Sequence, residues 1–148
     1  MPITAKHHVD YYETDAMAVV HHSNYIRWFE IGRVEFLRKA GIDLNVLTEH
    51  GFSYPITAVS AKYVSPARFD DNVLIETTAK AMTRAKMEFT YRILNAKTGE
   101  LLVTGMSRNV FTSLATGHIT RLPEEYYRPL ADALAREKAE QAAKEEEK

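Results

Sequence analysis

The stretch Tyr11-Tyr12-Glu13-Thr14-Asp15-Ala16-Met17-Ala18-Val19-Val20-His21-His22-Ser23-Asn24-Tyr25 sets the carboxylate of Asp15 just ahead of a strong helix start. The first turn of a helix carries unpaired N–H groups and the positive end of the helix dipole. An acid held beside such a terminus can attack a carbonyl carbon, or direct water onto it, while the carbonyl oxygen points at those N–H groups. That combination suits acyl transfer, with Asp15 as nucleophile or general base. An Asp before a helix is also an ordinary cap or turn residue. What lifts Asp15 above that reading is its company, an apolar pair, Val19-Val20, leading into His21-His22.

A helix from Tyr25 to Ala40 is the element that must position these groups. Tyr25, Phe29, Gly32, Phe36 and Ala40 form one apolar stripe, and Arg27, Glu30 and Arg38 sit opposite. Ser23 or Asn24 is the expected N-cap and Gly41 the expected stop. A short strand-like run ending at Tyr12 precedes the motif. After the helix the period falls to 2: Tyr54 to Val64 is β-rich, Val73, Ile75, Thr77, Ala79 and Ala81 alternate, and so do Met87, Phe89, Tyr91 and Ile93. Asn95 to Gly99 reads as a turn, and Leu101 to Thr112 as another long strand interrupted by Gly105. One helix followed by strands on short links predicts an α+β domain with an antiparallel sheet.

Tyr11, Thr14, Asp15, Val19, Val20, His22 and Tyr25 together resemble the signature of the 4-hydroxybenzoyl-CoA thioesterase family of hotdog-fold acyl-CoA thioesterases, in its Tol-Pal-associated and acyl-CoA thioesterase branches. The resemblance spans about residues 5 to 125, with a second anchor at Ser65-Pro66-Ala67-Arg68-Phe69-Asp70-Asp71. It implies the hotdog fold, a curved antiparallel sheet wrapped around one long helix, and hydrolysis of an acyl-CoA to a carboxylic acid and CoA without a cofactor or metal. Asp15 and His22 would be catalytic, the His22 N–H polarising the thioester carbonyl and its side chain orienting substrate or water. Tyr25 would shape the acyl pocket. Arg84 and Lys86, expected on one face of a strand, would approach the CoA phosphates, with Arg68, Arg108 and Arg121 as competitors for that role. A homodimer or homotetramer of edge-paired sheets is implied, with active sites at the dimer interface. One position departs from the family: Ala18 stands where Gly is usual, and Ala lacks easy access to positive φ, so the approach loop is expected to take a different path.

Other features narrow the alternatives. Formal net charge is −1, which argues against nonspecific nucleic-acid binding. No apolar run approaches the ~20 residues that span a bilayer, and the N-terminus lacks the apolar core of a signal peptide, so a cytoplasmic location is expected. The absence of cysteine excludes disulfides and thiolate catalysis. His7-His8 and His21-His22 lack helical metal-ligand spacing, so no metal is expected. Glu30 with Arg33 and Glu35 with Lys39 have the spacing of helix-stabilising pairs, although both acids are reserve catalytic candidates by analogy with other hotdog enzymes. The Asp-x-Asn-x-x-His signature of hotdog hydratases is absent, and a non-catalytic acyl-thioester binder or scaffold is the alternative from another class. Residues 1–129 form the expected domain, and residues 130–148, rich in Ala, Glu, Lys and Arg, a charged and exposed helix or frayed extension.

Overall fold

The computed structural model describes residues 3–146. Five strands, β1 (Ile3–His8), β3 (Ile56–Tyr63), β4 (Asn72–Met82), β5 (Lys86–Asn95) and β6 (Leu101–Val110), form one antiparallel sheet in the order β1-β4-β5-β6-β3. Two short strands, β2 (Phe52–Ser53) and β7 (Thr112–Ser113), pair separately. Period 2 holds through most of the expected set: Val73, Ile75, Thr77 and Ala79 of β4, and Met87, Phe89, Tyr91 and Ile93 of β5, are all buried, whereas Ala81 is exposed because the pairing with β5 shifts register between Ala79 and Ala81. Helix α1 (His22–Lys39) lies on the face they share.

Two glycines set how closely α1 approaches that face. A Cβ on Gly32 would stand 2.0 Å from Thr77 Oγ1, and a Cβ on Gly105 would stand 2.3 Å from Phe29 Cζ. Gly105 therefore does not interrupt β6, which runs continuously through it; it makes room for the Phe29 ring. That ring stacks on Tyr91 at 4.3 Å between centroids. The apolar stripe of α1 is wider than expected, since Trp28, Arg33 and Leu37 are buried beside Tyr25, Phe29, Gly32 and Phe36. Arg33 makes no pair with Glu30. Its guanidinium turns inward and donates to the Tyr91 hydroxyl at 3.3 Å. Glu35 pairs with Arg38 at 2.8 Å rather than with Lys39.

Both ends of α1 are chemically defined. Its N-cap is His21, whose Nδ1 accepts the Ser23 N–H at 3.2 Å, so the helix begins earlier than Ser23 or Asn24 as caps would allow. At the other end Gly41 takes φ +90, Gly41 N–H donates to Arg38 O and Ile42 N–H to Leu37 O, the double closure that a left-handed residue makes possible. A short helix, α2 (Leu44–Glu49), follows, started by the Asp43 side chain; its single turn and a half carries too little periodicity to be legible in the sequence. The run before the motif is likewise not a strand to Tyr12: β1 stops at His8, and Tyr11–Glu13 is a 3-10 turn.

The charged tail is the later part of helix α3 (Glu124–Glu146), which starts before Leu130 and buries Tyr126, Leu130, Ala133 and Glu137. Glu137 Oε2 accepts the Ala79 N–H at 3.0 Å. Among the described residues β1 pairs β4 as far as Thr77, and α3 supplies an acceptor for the backbone two residues further on. Beyond Glu137 the helix is exposed. The α1–sheet contact yields a direct check. Gly32→Ala should cost about 2 kcal/mol in urea unfolding, the usual scale for overpacking a filled core, and adding Thr77→Ala should restore part of that loss. Unchanged stability in the single variant would contradict so close an approach.

Candidate active site

Asp15 lies at the tip of a tight hairpin returning to the start of α1. Thr14 bridges Val20, Asp15 N–H donates to Val19 O at 3.0 Å, and Ala18 N–H donates to Asp15 O at 2.9 Å. His21 N–H then donates to Glu13 O at 2.9 Å, which closes the hairpin one residue before the helix. The link from β3 to β4 braces it from behind. Val20 N–H donates to Ala67 O, and Ala67 N–H donates to the Tyr25 hydroxyl at 3.0 Å. The second sequence anchor is thus a brace for the first. Its acidic turn is held by side chains as well: Asp71 Oδ2 accepts the Arg68 N–H, and His8 bridges Asp70 and Asn72 at 3.0 Å each.

The half-buried Asp15 carboxylate has unequal oxygens. Oδ1 accepts the Met17 N–H at 2.8 Å, whereas Oδ2 has no partner among the described residues. The bond to Oδ1 fixes the rotamer. His22 is the first helical residue, where the N–H has no intrahelical acceptor, and its ring is exposed, 4.1 Å from that of His21 and 6.2 Å from that of Tyr63. Tyr25 is almost wholly buried, with its ring against Trp28 and Tyr63. Burial pushes its phenol above the ordinary value, so it stays neutral and accepts the Ala67 N–H.

Arg84 and Lys86 stand elsewhere. Arg84 occupies the turn between β4 and β5 rather than a strand, pairs with Glu124, and lies 4.8 Å over the Tyr127 ring. Lys86 is the first residue of β5. The hairpin is braced at the Asn72 end of β4, and a strand of this length puts the Met82 end roughly 30 Å away. Within one chain, therefore, the structure brings together Asp15, His22 and Tyr25 and leaves Arg84 and Lys86 at the far end.

A further carboxylate was hidden in plain view. Glu13 is only 4% exposed. Its Oε1 accepts from His7 Nε2 and the Asp10 N–H at 2.9 and 2.8 Å, and its Oε2 accepts from Trp28 Nε1 at 2.8 Å. Burial alone would push this carboxyl up, but the Asp10, His7 and Trp28 donors outweigh it and hold it below its ordinary 4.5. Its contribution to stability is therefore present above that value and drains away as pH falls through the lower folded one. His7, Asp10 and Glu13 could bring ligand atoms within 4.8 Å of one another, yet the Glu13 oxygens are already engaged by N–H donors. The Asp10-x-x-Glu13 spacing of a capping box was the available signal.

Known proteins supply the remaining comparison. The profile of the thioesterase-like superfamily matches residues 9–133. The chain belongs to that superfamily. This thioesterase is 34% identical over 89 residues to the acyl-CoA thioester hydrolase YbgC of Escherichia coli, covering 60% of this chain and 66% of that one. Among solved structures, a hypothetical protein from Thermus thermophilus superposes with a TM-score of 0.83 at 32% identity, covering 88% of this chain and 98% of that one. DHNA-CoA thioesterase from Staphylococcus aureus superposes with a TM-score of 0.83 at 28% identity, covering 98% and 94%. The sheet wrapped on α1 is thus the hotdog fold, and the protein is a thioester hydrolase.

The expectation about Ala18 needs correcting. Ala18 adopts φ +63, so the hairpin enters the left-handed region with Ala in place and bears the steric cost. Ala18→Gly in this thioesterase should raise stability by about 0.5–1 kcal/mol, because the relief of strain outweighs the added unfolded-state entropy. A lowered denaturation midpoint would contradict this.

Proposed function

We propose that this thioesterase hydrolyses an acyl-CoA to the free carboxylic acid and CoA, with Asp15 supplying the reactive carboxylate. The observation that carries the reading is the hairpin that carries Asp15, which closes on the chain entering α1 through His21 N–H on Glu13 O, one residue before His22 and the helix start. As nucleophile, Oδ2 attacks the thioester carbonyl carbon, the C–S bond breaks, and CoA leaves as a thiolate that takes a proton from solvent. Water then opens the mixed anhydride and restores Asp15. As general base, Asp15 takes a proton from water while that water attacks, and the proton passes to the leaving sulfur. In both routes the charge growing on the carbonyl oxygen meets the His22 N–H, and water is the only co-reactant. The acyl-CoA thioester hydrolase named among the relatives supports the choice of CoA ester.

Further parts of the reading follow from the outer strand. β3 forms one end of the sheet and exposes Ile56, Val59 and Tyr63, followed by Val64. An open strand of this kind favours pairing with a second copy, so the working form is a homodimer or a homotetramer built from such dimers. Arg84 and Lys86 could then approach the CoA phosphates only from a partner copy. The His22 ring, set against Tyr63, orients the substrate, Tyr25 backs the acyl pocket, and the reaction takes place in the cytoplasm.

Turnover across short, medium, long and aromatic acyl-CoAs tests the reading, because the chain has no cysteine and a thiol reagent reports released CoA alone. Asp15→Asn should lower kcat by about a hundredfold or more while leaving the fold and acyl-CoA binding intact. A variant keeping a third of wild-type kcat would remove Asp15 from the reaction. A wild type that binds these esters without turning any over would make the protein a binder.

A further inference from the structure

The hydrolysis outlined above uses Asp15 and the His22 N–H and assigns nothing to Glu13, although Glu13 is the most fully engaged side chain around them. Its carboxylate accepts from a residue of β1 (His7), from the backbone after β1 (Asp10) and from a residue of α1 (Trp28). Its main-chain carbonyl accepts twice more, from the His21 N–H and from Asn24 Nδ2, both at 2.9 Å. Glu13 therefore grips α1 at three points, from the cap to the second turn, and stands two residues ahead of Asp15.

We propose that Glu13 is the positioning residue of this enzyme: its buried carboxylate locks the hairpin that carries Asp15 to the helix that carries the His22 N–H, and so fixes acid and oxyanion donor relative to each other. The proposal rests on the thioesterase reading of the site and deepens it. The number and direction of the donors call for a carboxylate at this place. Trp28 Nε1–H and Asp10 N–H approach different oxygens of one carboxylate, and both are satisfied only by a group with two acceptor oxygens. A carboxamide has one. Gln at this place must turn its NH2 toward either the helix donor or the turn donor, leaving that buried N–H unpaired. No Arg or Lys pairs with Glu13 among the described residues, so the three donors on its carboxylate, the Asp10 N–H, His7 and Trp28, account for an ionised group at such depth. A plug that merely filled space would need no such set.

A hairpin anchored this way fails by drifting, and misplacement of a reacting group by about an ångström can cost a hundredfold in rate. The loss should fall on kcat, because the groups that bind the rest of the substrate are not moved.

The test pairs Glu13→Gln with Trp28→Phe, which removes one donor and keeps an aromatic ring, and includes the double variant. Steady-state kinetics on the best ester of the panel should show kcat reduced about tenfold or more in Glu13→Gln and about threefold in Trp28→Phe. KM should change less than threefold in both, and the double variant should be no worse than Glu13→Gln, since the two changes break one interaction. Amide exchange read by mass spectrometry should quicken across residues 14–22 in Glu13→Gln and stay unchanged in β5 and β6. Wild-type kcat within twofold in both folded variants, losses confined to KM, strictly multiplicative losses, or unchanged exchange across 14–22 would each overturn the proposal. Should Glu13→Gln fail to fold, Trp28→Phe decides by the same measures. The exchange result does not depend on the substrate: a wild type without turnover would defeat the thioesterase reading, while exchange would still decide whether Glu13 holds the hairpin.

Discussion

The site depends on how closely α1 lies against the sheet. Gly32 over Thr77, and Phe29 seated where Gly105 has no side chain, let the helix axis approach the strands more closely than any larger pair of residues would permit. Close approach buries Tyr25, Trp28, Phe29, Phe36 and Leu37 along one helix. Each such burial is worth roughly 2 kcal/mol, so the position of α1 is fixed far more firmly than that of any surface loop. A helix start used as a charge-stabilising group has to be rigid, because reorganisation at the moment of reaction would cancel its benefit.

The rest of the site hangs from that helix by hydrogen bonds. Glu13 reaches it through Trp28, Asn24 and His21, and Ala67 reaches it through the Tyr25 hydroxyl. The hairpin between them contains its own strain, Ala18 at φ +63, and its turn is closed by the Asp15 side chain itself. The proposed catalytic carboxylate is in this sense also a structural one: Oδ1 shapes the turn, and in the proposed reaction Oδ2 is the oxygen that acts. This division explains how a short exposed loop can hold an acid in one orientation.

Sequence patterns made the sheet and the main helix legible because their signals are periodic and repeated. Val73 to Ala79, and Met87 to Ile93, show faces that burial later reproduces, and the spacing from Tyr25 to Phe36 does the same for α1. What was not legible rests on single residues whose meaning depends on distant partners. Gly105 reads as a break in a strand until Phe29 is seen against it. Glu30 and Arg33 have the spacing of an ion pair, but Arg33 points into the core toward Tyr91. Arg84 and Lys86 look like neighbours on a strand, whereas Arg84 lies in the turn before β5 and pairs with Glu124. Glu13 sat inside the motif yet off its pattern places, and only burial with Trp28 and His7 gives it a role. Ala18 shows the reverse: a sterically unfavourable residue is tolerated because the surrounding pairings over-determine the loop.

In the proposed reaction the thioester carbonyl oxygen sits on the His22 N–H while the side chain of Asp15 faces the carbonyl carbon. The most direct measurement is a crystal structure of Asp15→Asn holding an intact acyl-CoA. The expected result is a carbonyl oxygen about 2.7–3.1 Å from the His22 nitrogen, with the carboxamide that replaces the Asp15 carboxylate lying against the carbonyl carbon. An ester bound with its carbonyl turned away from the start of α1, and the His22 N–H left to solvent, would contradict it.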